Sequence, residues 1–172
     1  MPEMNGFNLE ETHQRSIVRL RVRPDTADTA AKVMQLPQRA LQSEDGNTAI
    51  HWLGPDQWLF TSETESATDI MANIDSALSD QLFAATDMSS GLACFSLGGQ
   101  GSRTLLAMGC GIDMHPASFP GGQCVRTNFA QVPVFIVATG ELEFDLYVDR
   151  SYAAYLYAWL SAAGKDPMNH PA

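Results

Sequence analysis

From Ile17 to Val22 the chain alternates, with Val18, Leu20 and Val22 on one side and Arg19 and Arg21 on the other. That is the period-two pattern of a half-buried strand. Asp25 then stands where a helix cap belongs, ahead of Ala27, Ala30, Ala31 and Met34, and Pro37 stops the run. A polar loop, QSEDGN, leads into strands predicted at Thr48–Leu53 and Trp58–Phe60, joined as a hairpin by Gly54-Pro55-Asp56-Gln57. Ile70, Met71, Ile74, Ala77 and Leu78 predict an amphipathic helix, and Leu82–Ala85 a short strand.

The second half opens on Leu92–Leu97, where Ala93, Phe95 and Leu97 alternate with Leu92, Cys94 and Ser96. Both faces are largely apolar, as in a central strand. Gly98, Gly99 and Gly101 permit a sharp reversal into a helix carrying Leu105, Leu106 and Met108, with Ser102 as its expected N-cap. Gly109 and Gly111 end that helix, and Pro116 keeps His115 extended. Strands are predicted at Gln123–Asn128, Val132–Thr139 and Glu143–Val148, and a helix from Ser151 to Ala163.

Strand, helix, strands, helix, strand, read twice, predicts an α+β fold of two ferredoxin-like units packed together. With no linker between them we expect a single domain over residues 15–165, flanked by a flexible N-terminal segment, 1–14, and a flexible tail, 166–172.

Composition narrows the function. A hydrophobic content of 45% with 17% charged residues is that of a folded globular chain. Its net charge of −10 opposes binding to a phosphate backbone, so no nucleic-acid partner is expected. No apolar run is long enough to span a membrane, and MPEMNGFNLE has neither the basic start nor the apolar core of a signal peptide. We therefore expect a cytoplasmic protein without a membrane partner. Three cysteines (Cys94, Cys110, Cys124) without CxxC spacing agree with a reducing compartment.

Candidate chemistry is sparse. Gly99-x-Gly101 lacks the third glycine of a dinucleotide loop, since Thr104 stands there, and reads as a tight turn. Of four histidines only His115 has a near carboxylate, Asp113; a metal needs three or four converging ligands, and we expect Asp113 to bond backbone N–H groups of the corner. Cys110 follows a helix C-terminus, where the dipole disfavours a thiolate, and reads as packing. No nucleophile elbow and no phosphate loop occur. No catalytic, cofactor-binding or metal residue is therefore expected on this chain.

The last helix is more informative. Tyr152, Tyr155, Leu156, Trp159, Leu160 and Ala163 form the expected core stripe, while Ala154, Tyr157, Ala158 and Ser161 form a second face. From Ser151 to Gly164 no charge occurs, so we expect that second face to meet a partner.

The run Leu97-Gly98, Leu105-Leu106, Gly109-Cys110, Ile112-Asp113, His115-Pro116 and Phe119 resembles the gamma subunit of heterotetrameric sarcosine oxidase. So do Leu53-Gly54-Pro55-Asp56-Gln57-Trp58-Leu59 before it, and Arg150-Ser151-Tyr152-Ala153 with Tyr155-Leu156 and Trp159-Leu160 after it. The resemblance covers roughly residues 48 to 163. It implies the fold of the folate-binding aminomethyltransferase family, with Gly54, Pro55, Trp58, Gly98, Gly109, Cys110, Asp113, His115, Pro116, Arg150 and Ser151 in structural roles. It further implies a non-catalytic subunit of an oxidoreductase that oxidatively demethylates sarcosine to glycine. FAD, FMN, NAD and tetrahydrofolate would belong to the larger alpha and beta subunits, and a small delta subunit would complete the complex. Catalytic members of the fold family place an acidic residue in the turn after the corner; here that turn, Asn128-Phe129-Ala130-Gln131-Val132, has none. The alternatives are a free-standing folate or one-carbon-binding protein of the same fold and a homo-oligomeric protein for a small ligand.

Overall fold

A computed structural model describes residues 6–39, 42–44 and 46–164. The chain divides into two units: one runs from Gln14 to Gly91, and the other joins the segment up to His13 with everything from Leu92 onward.

In the first unit the order is β2 (Ser16–Val22), α1 (Ala27–Met34), β3 (Ser43–Glu44), β4 (Thr48–Gly54), β5 (Gln57–Ser62), α2 (Ala67–Ala77) and β6 (Phe83–Asp87). The five strands lie in the order β3-β4-β5-β2-β6, all antiparallel. Leaving aside the two-residue β3, that is the ferredoxin-like arrangement which the pattern predicts. Val18, Leu20 and Val22 point to the helices and join Ile70, Ile74 and Leu78 in the core. Ile17, from the opposite face of β2, is buried as well. Ser66 caps α2 by accepting the Asp69 backbone N–H at 3.1 Å. Asp25 does not cap α1: a 3-10 turn, Pro24–Thr26, precedes that helix, and the Asp25 carboxylate bonds Arg23 instead.

The second unit contains β1 (Asn8–Thr12), β7 (Leu92–Gly98), α3 (Ser102–Gly109), β8 (Gln123–Phe129), β9 (Val132–Ala138), β10 (Glu143–Asp149) and α4 (Ala153–Ala163). Its strand order is β1-β7-β10-β9-β8. Set beside the first sheet, β7, β10 and β9 take the places of β2, β5 and β4, β8 that of β3, and β1 that of β6. The strand that should follow α4 is therefore supplied by the start of the chain. The segment expected to be flexible holds this strand, because β1 satisfies the outer backbone groups of β7, pairing from Asn8↔Gly98 to Thr12↔Cys94. The 166–172 tail lies outside the described residues.

Phe95, Leu97, Ile136, Phe144 and Leu146 form the core of this unit with Leu105, Leu106, Leu156 and Leu160 of the two helices. Gly99 has φ +105°, and a Cβ there would stand 2.5 Å from the Gly6 carbonyl oxygen, so glycine is required for the reversal to pass the N-terminal segment. Ser102 is not the N-cap. Gly101 takes that position, and the fully buried Ser102 hydroxyl donates to the Leu142 carbonyl at 3.0 Å.

Candidate functional site

The residues of the sequence motif gather mainly around α3 and the corner after it. Gly109 ends α3 against Phe129: a Cβ would fall 2.3 Å from that ring, and the ring in turn meets Trp159 edge-on at 5.0 Å. Gly98 lies against Asn8, whose Oδ1 is 2.8 Å from the place of a Cβ. Cys110 is half-buried and its thiol donates to the Leu106 carbonyl at 3.3 Å; burial pushes its pKa up. That is the environment of an unreactive thiol.

At the corner the exposed Asp113 carboxylate accepts the Ser118 hydroxyl at 2.5 Å and the His115 backbone N–H at 3.0 Å. These bonds hold its pKa below the ordinary carboxylate value, the Ser118 bond first. His115 Nδ1 accepts the Ala117 N–H at 3.2 Å, and Pro116 is exposed beside it. These residues thus knit a turn whose apolar members, Met114 and Phe119, enter the core.

Arg103 locks the turn. Its Nε–H donates to the Glu141 carbonyl at 2.7 Å, its Nη1 to the carbonyls of Met114 (2.6 Å) and Phe119 (3.0 Å), and its guanidinium carbon lies 5.0 Å from the centre of the Phe144 ring. The sequence reading missed this residue. An arginine one position inside a helix, with no carboxylate at helical spacing, carries no signal that its partners are three carbonyls. Arg150 has a similar role: it pairs with Glu11 of β1 at 2.8 Å and donates to the Leu92 carbonyl at 2.8 Å, next to the exposed Ser151.

The β8–β9 turn carries Ala130 and Gln131, both at positive φ (47° and 72°). Ala130 N–H donates to the Gly109 carbonyl at 2.8 Å, and its own carbonyl accepts the Tyr155 hydroxyl at 2.9 Å. Partners from α3 and α4 thus hold this turn.

On α4, Leu156 and Leu160 are buried, with Ala153, Trp159 and Ala163 packed beside them. Tyr152 and Tyr155, expected in the core stripe, are 42% and 47% exposed, because the stripe is narrower than the spacing suggests. Ala154, Tyr157 and Ala158, on the second face, are exposed. Ser161 is half-buried, and its hydroxyl is enclosed without a hydrogen-bond partner among the described residues. In the other unit Gly54 ends β4, Pro55 and Asp56 make the β4–β5 turn, and Trp58 is buried with its indole N–H donating to the Pro37 carbonyl at 2.8 Å.

One histidine the sequence reading passed over is structurally committed. His51 is buried, its Nδ1 2.6 Å from the Ser43 hydroxyl and its Nε2 2.9 Å from the Thr61 hydroxyl. Burial, with the Arg15 charge as a smaller contribution, pushes its pKa down to about 3. Among the described residues no three of His, Cys, Asp and Glu come together as a metal would require. No helix among them is long and apolar enough to cross a membrane.

The polar residues of the motif therefore set turns and hold strands. The fold is that of an aminomethyltransferase domain: the glycine cleavage aminomethyltransferase T of Bartonella henselae superposes with a TM-score of 0.68 over 94% of this chain and 49% of its own, at 12% identity. The chain belongs to the sarcosine oxidase gamma subunit family, whose model matches residues 24–166. The gamma subunit of sarcosine oxidase from Corynebacterium sp. (strain U-96) is 28% identical over 113 residues, 66% of this chain and 54% of that protein. The chain spans about half the length of the curated relatives it matches. A chain of the heterotetrameric sarcosine oxidase from Corynebacterium sp. U-96, solved in complex with pyrrole 2-carboxylate, superposes with a TM-score of 0.84 at 25% identity, over 95% of this chain and 86% of that one.

Proposed function

We propose that this chain is the non-catalytic gamma-type subunit of a cytoplasmic heterotetrameric sarcosine oxidase, the complex that oxidatively demethylates sarcosine to glycine. The observation that carries the reading is the close superposition on a chain of the Corynebacterium complex, extending over nearly all of this chain. The structural use of Asp113, His115 and Cys110 supports a scaffold rather than a catalyst. On this reading FAD, FMN, NAD and tetrahydrofolate are bound by the larger alpha and beta chains, and a small delta chain completes the assembly.

The face of α4 with Ala154, Tyr157, Ala158 and Ser161 is the proposed contact with a larger subunit. It exposes tyrosine and alanine without one charged side chain, the composition of an interface rather than of a solvated helix. The test is affinity capture of the tagged chain from its native host. Stoichiometric recovery of flavin-bearing larger chains supports the assignment. Recovery of the chain alone, while sarcosine oxidation stays in a separate fraction, contradicts it.

A further inference from the structure

The two units repeat each other closely enough for residues to be matched. At the end of the first central strand, Val22 N–H donates to the Asp56 carbonyl at 3.1 Å in one unit, and Gly99 N–H to the Leu142 carbonyl at 3.1 Å in the other. In that register Trp58 on β5, opposite Leu20, corresponds to Phe144 on β10, opposite Leu97. The first helices align through their buried pairs, Ala30-Ala31 and Leu105-Leu106. Asp28 therefore stands where the other unit has Arg103.

In the second unit this position is filled by a cation, the Arg103 guanidinium over Phe144. In the first unit no cationic side chain among the described residues lines the equivalent space. A cleft of about 250 Å³ opens there, with Asp28, Ala31, Gln38, Trp52, Asp56 and Trp58 in its wall. Ala31 in place of the larger Leu106 makes room. Trp52 faces Trp58 across the strands, where the other unit has Ala138 opposite Phe144, so the aromatic wall is larger. The Asp28 and Asp56 carboxylates have no hydrogen-bond or ion-pair partner among the described residues.

We propose that this cleft is a binding site for a guanidinium group, seated against the tryptophan wall between Asp28 and Asp56. A guanidinium is planar and weakly hydrated, stacks on an aromatic face and donates in a fork to carboxylates, so it suits this wall better than an ammonium. The group comes either from an arginine side chain of a partner subunit or from a free alkylguanidine. Binding to the isolated chain does not depend on the assignment to sarcosine oxidase.

The test uses the full chain and follows its three tryptophan indole N–H signals by NMR. N-acetyl-arginine methylamide is the probe and N-acetyl-citrulline methylamide its neutral, nearly isosteric control. Saturable shifts confined to Trp52 and Trp58, with arginine only, are expected, and D28N/D56N should weaken them about fivefold or more. Asparagine tolerates the positive φ of Asp56, 60°, so the variant retains the turn. R39Q, changed at the residue that follows Gln38 in sequence, tests whether the chain's own guanidinium competes with the probe. Absence of saturation in both wild type and R39Q, an equal response to citrulline, or a shift centred on Trp159 would overturn the site; the wild-type contrast between probes stands without either variant. Capture of the larger chains by D28N/D56N then assigns the source. Lost capture identifies a partner arginine, whereas unchanged capture identifies a free guanidine.

Discussion

His51 shows how one buried side chain ties stability to pH. Its pKa in the fold is about 3, against an ordinary value of 6.5, because burial disfavours the imidazolium. Below pH 6.5 the unfolded chain takes up a proton that the folded chain refuses, so stability falls by about 1.4 kcal/mol per pH unit until pH nears 3. Between pH 6.5 and pH 5 this group should cost about 2 kcal/mol. Urea unfolding of wild type and His51→Gln at pH 7.5 and pH 5 isolates the effect, since the variant should lose that much less on acidification. An equal loss in both would show that His51 is protonated in the folded chain. Gly109 is the other residue whose identity is dictated locally. Gly109→Ala puts a methyl into the Phe129 ring, which Trp159 holds in place, and should destabilise the fold by about 1–3 kcal/mol. A thermal melt reads this directly, and an unchanged midpoint would mean that Phe129 can move.

Among the elements, those with strong periodicity were legible. The alternation of Val18, Leu20 and Val22, the hairpin around Gly54 and the helix through Ile70 and Ile74 all occur where the pattern puts them, because burial of one face imposes the period. β1 was not legible, since its Glu10 and Glu11 give no alternation and its partner, β7, lies far along the chain. The caps at Asp25 and Ser102 were misread for a different reason. Both side chains had stronger partners, the Arg23 guanidinium and the Leu142 carbonyl, that residue order does not reveal. The bond from the Asp113 carboxylate to a backbone N–H of the corner was legible, whereas Arg103, which locks it, was not. For α4, Tyr157→Asp should lower the melting midpoint but leave the chain folded, because the residue is 46% exposed while its ring lies 6.0 Å from that of the buried Phe95. On the proposed interface it should abolish capture of the larger subunits, where a desolvated charge costs several kcal/mol. Trp159→Asp, placed against the core, should unfold the chain with or without partners. Normal capture by Tyr157→Asp would move the interface off this helix.

At the scale of the whole molecule, the unit from Leu92 onward is completed by the beginning of the chain. Deleting residues 1–13 strips β1 from β7, removes the Glu11 partner of Arg150 and uncovers the sheet edge. The truncated protein should melt lower and aggregate at concentrations where the full chain is monodisperse, which light scattering during a thermal ramp will show. An unaltered melt would mean that this unit is stable as a four-stranded sheet. On the proposed function, this chain is a scaffold subunit whose bonded turns support a larger enzyme. Native mass spectrometry of the assembly purified through a tag on this chain tests it most directly. The account predicts one copy of this chain in a particle with three other subunits, with flavin mass carried only by the larger ones. A spectrum containing only the chain itself, as monomer or homo-oligomer, would contradict it.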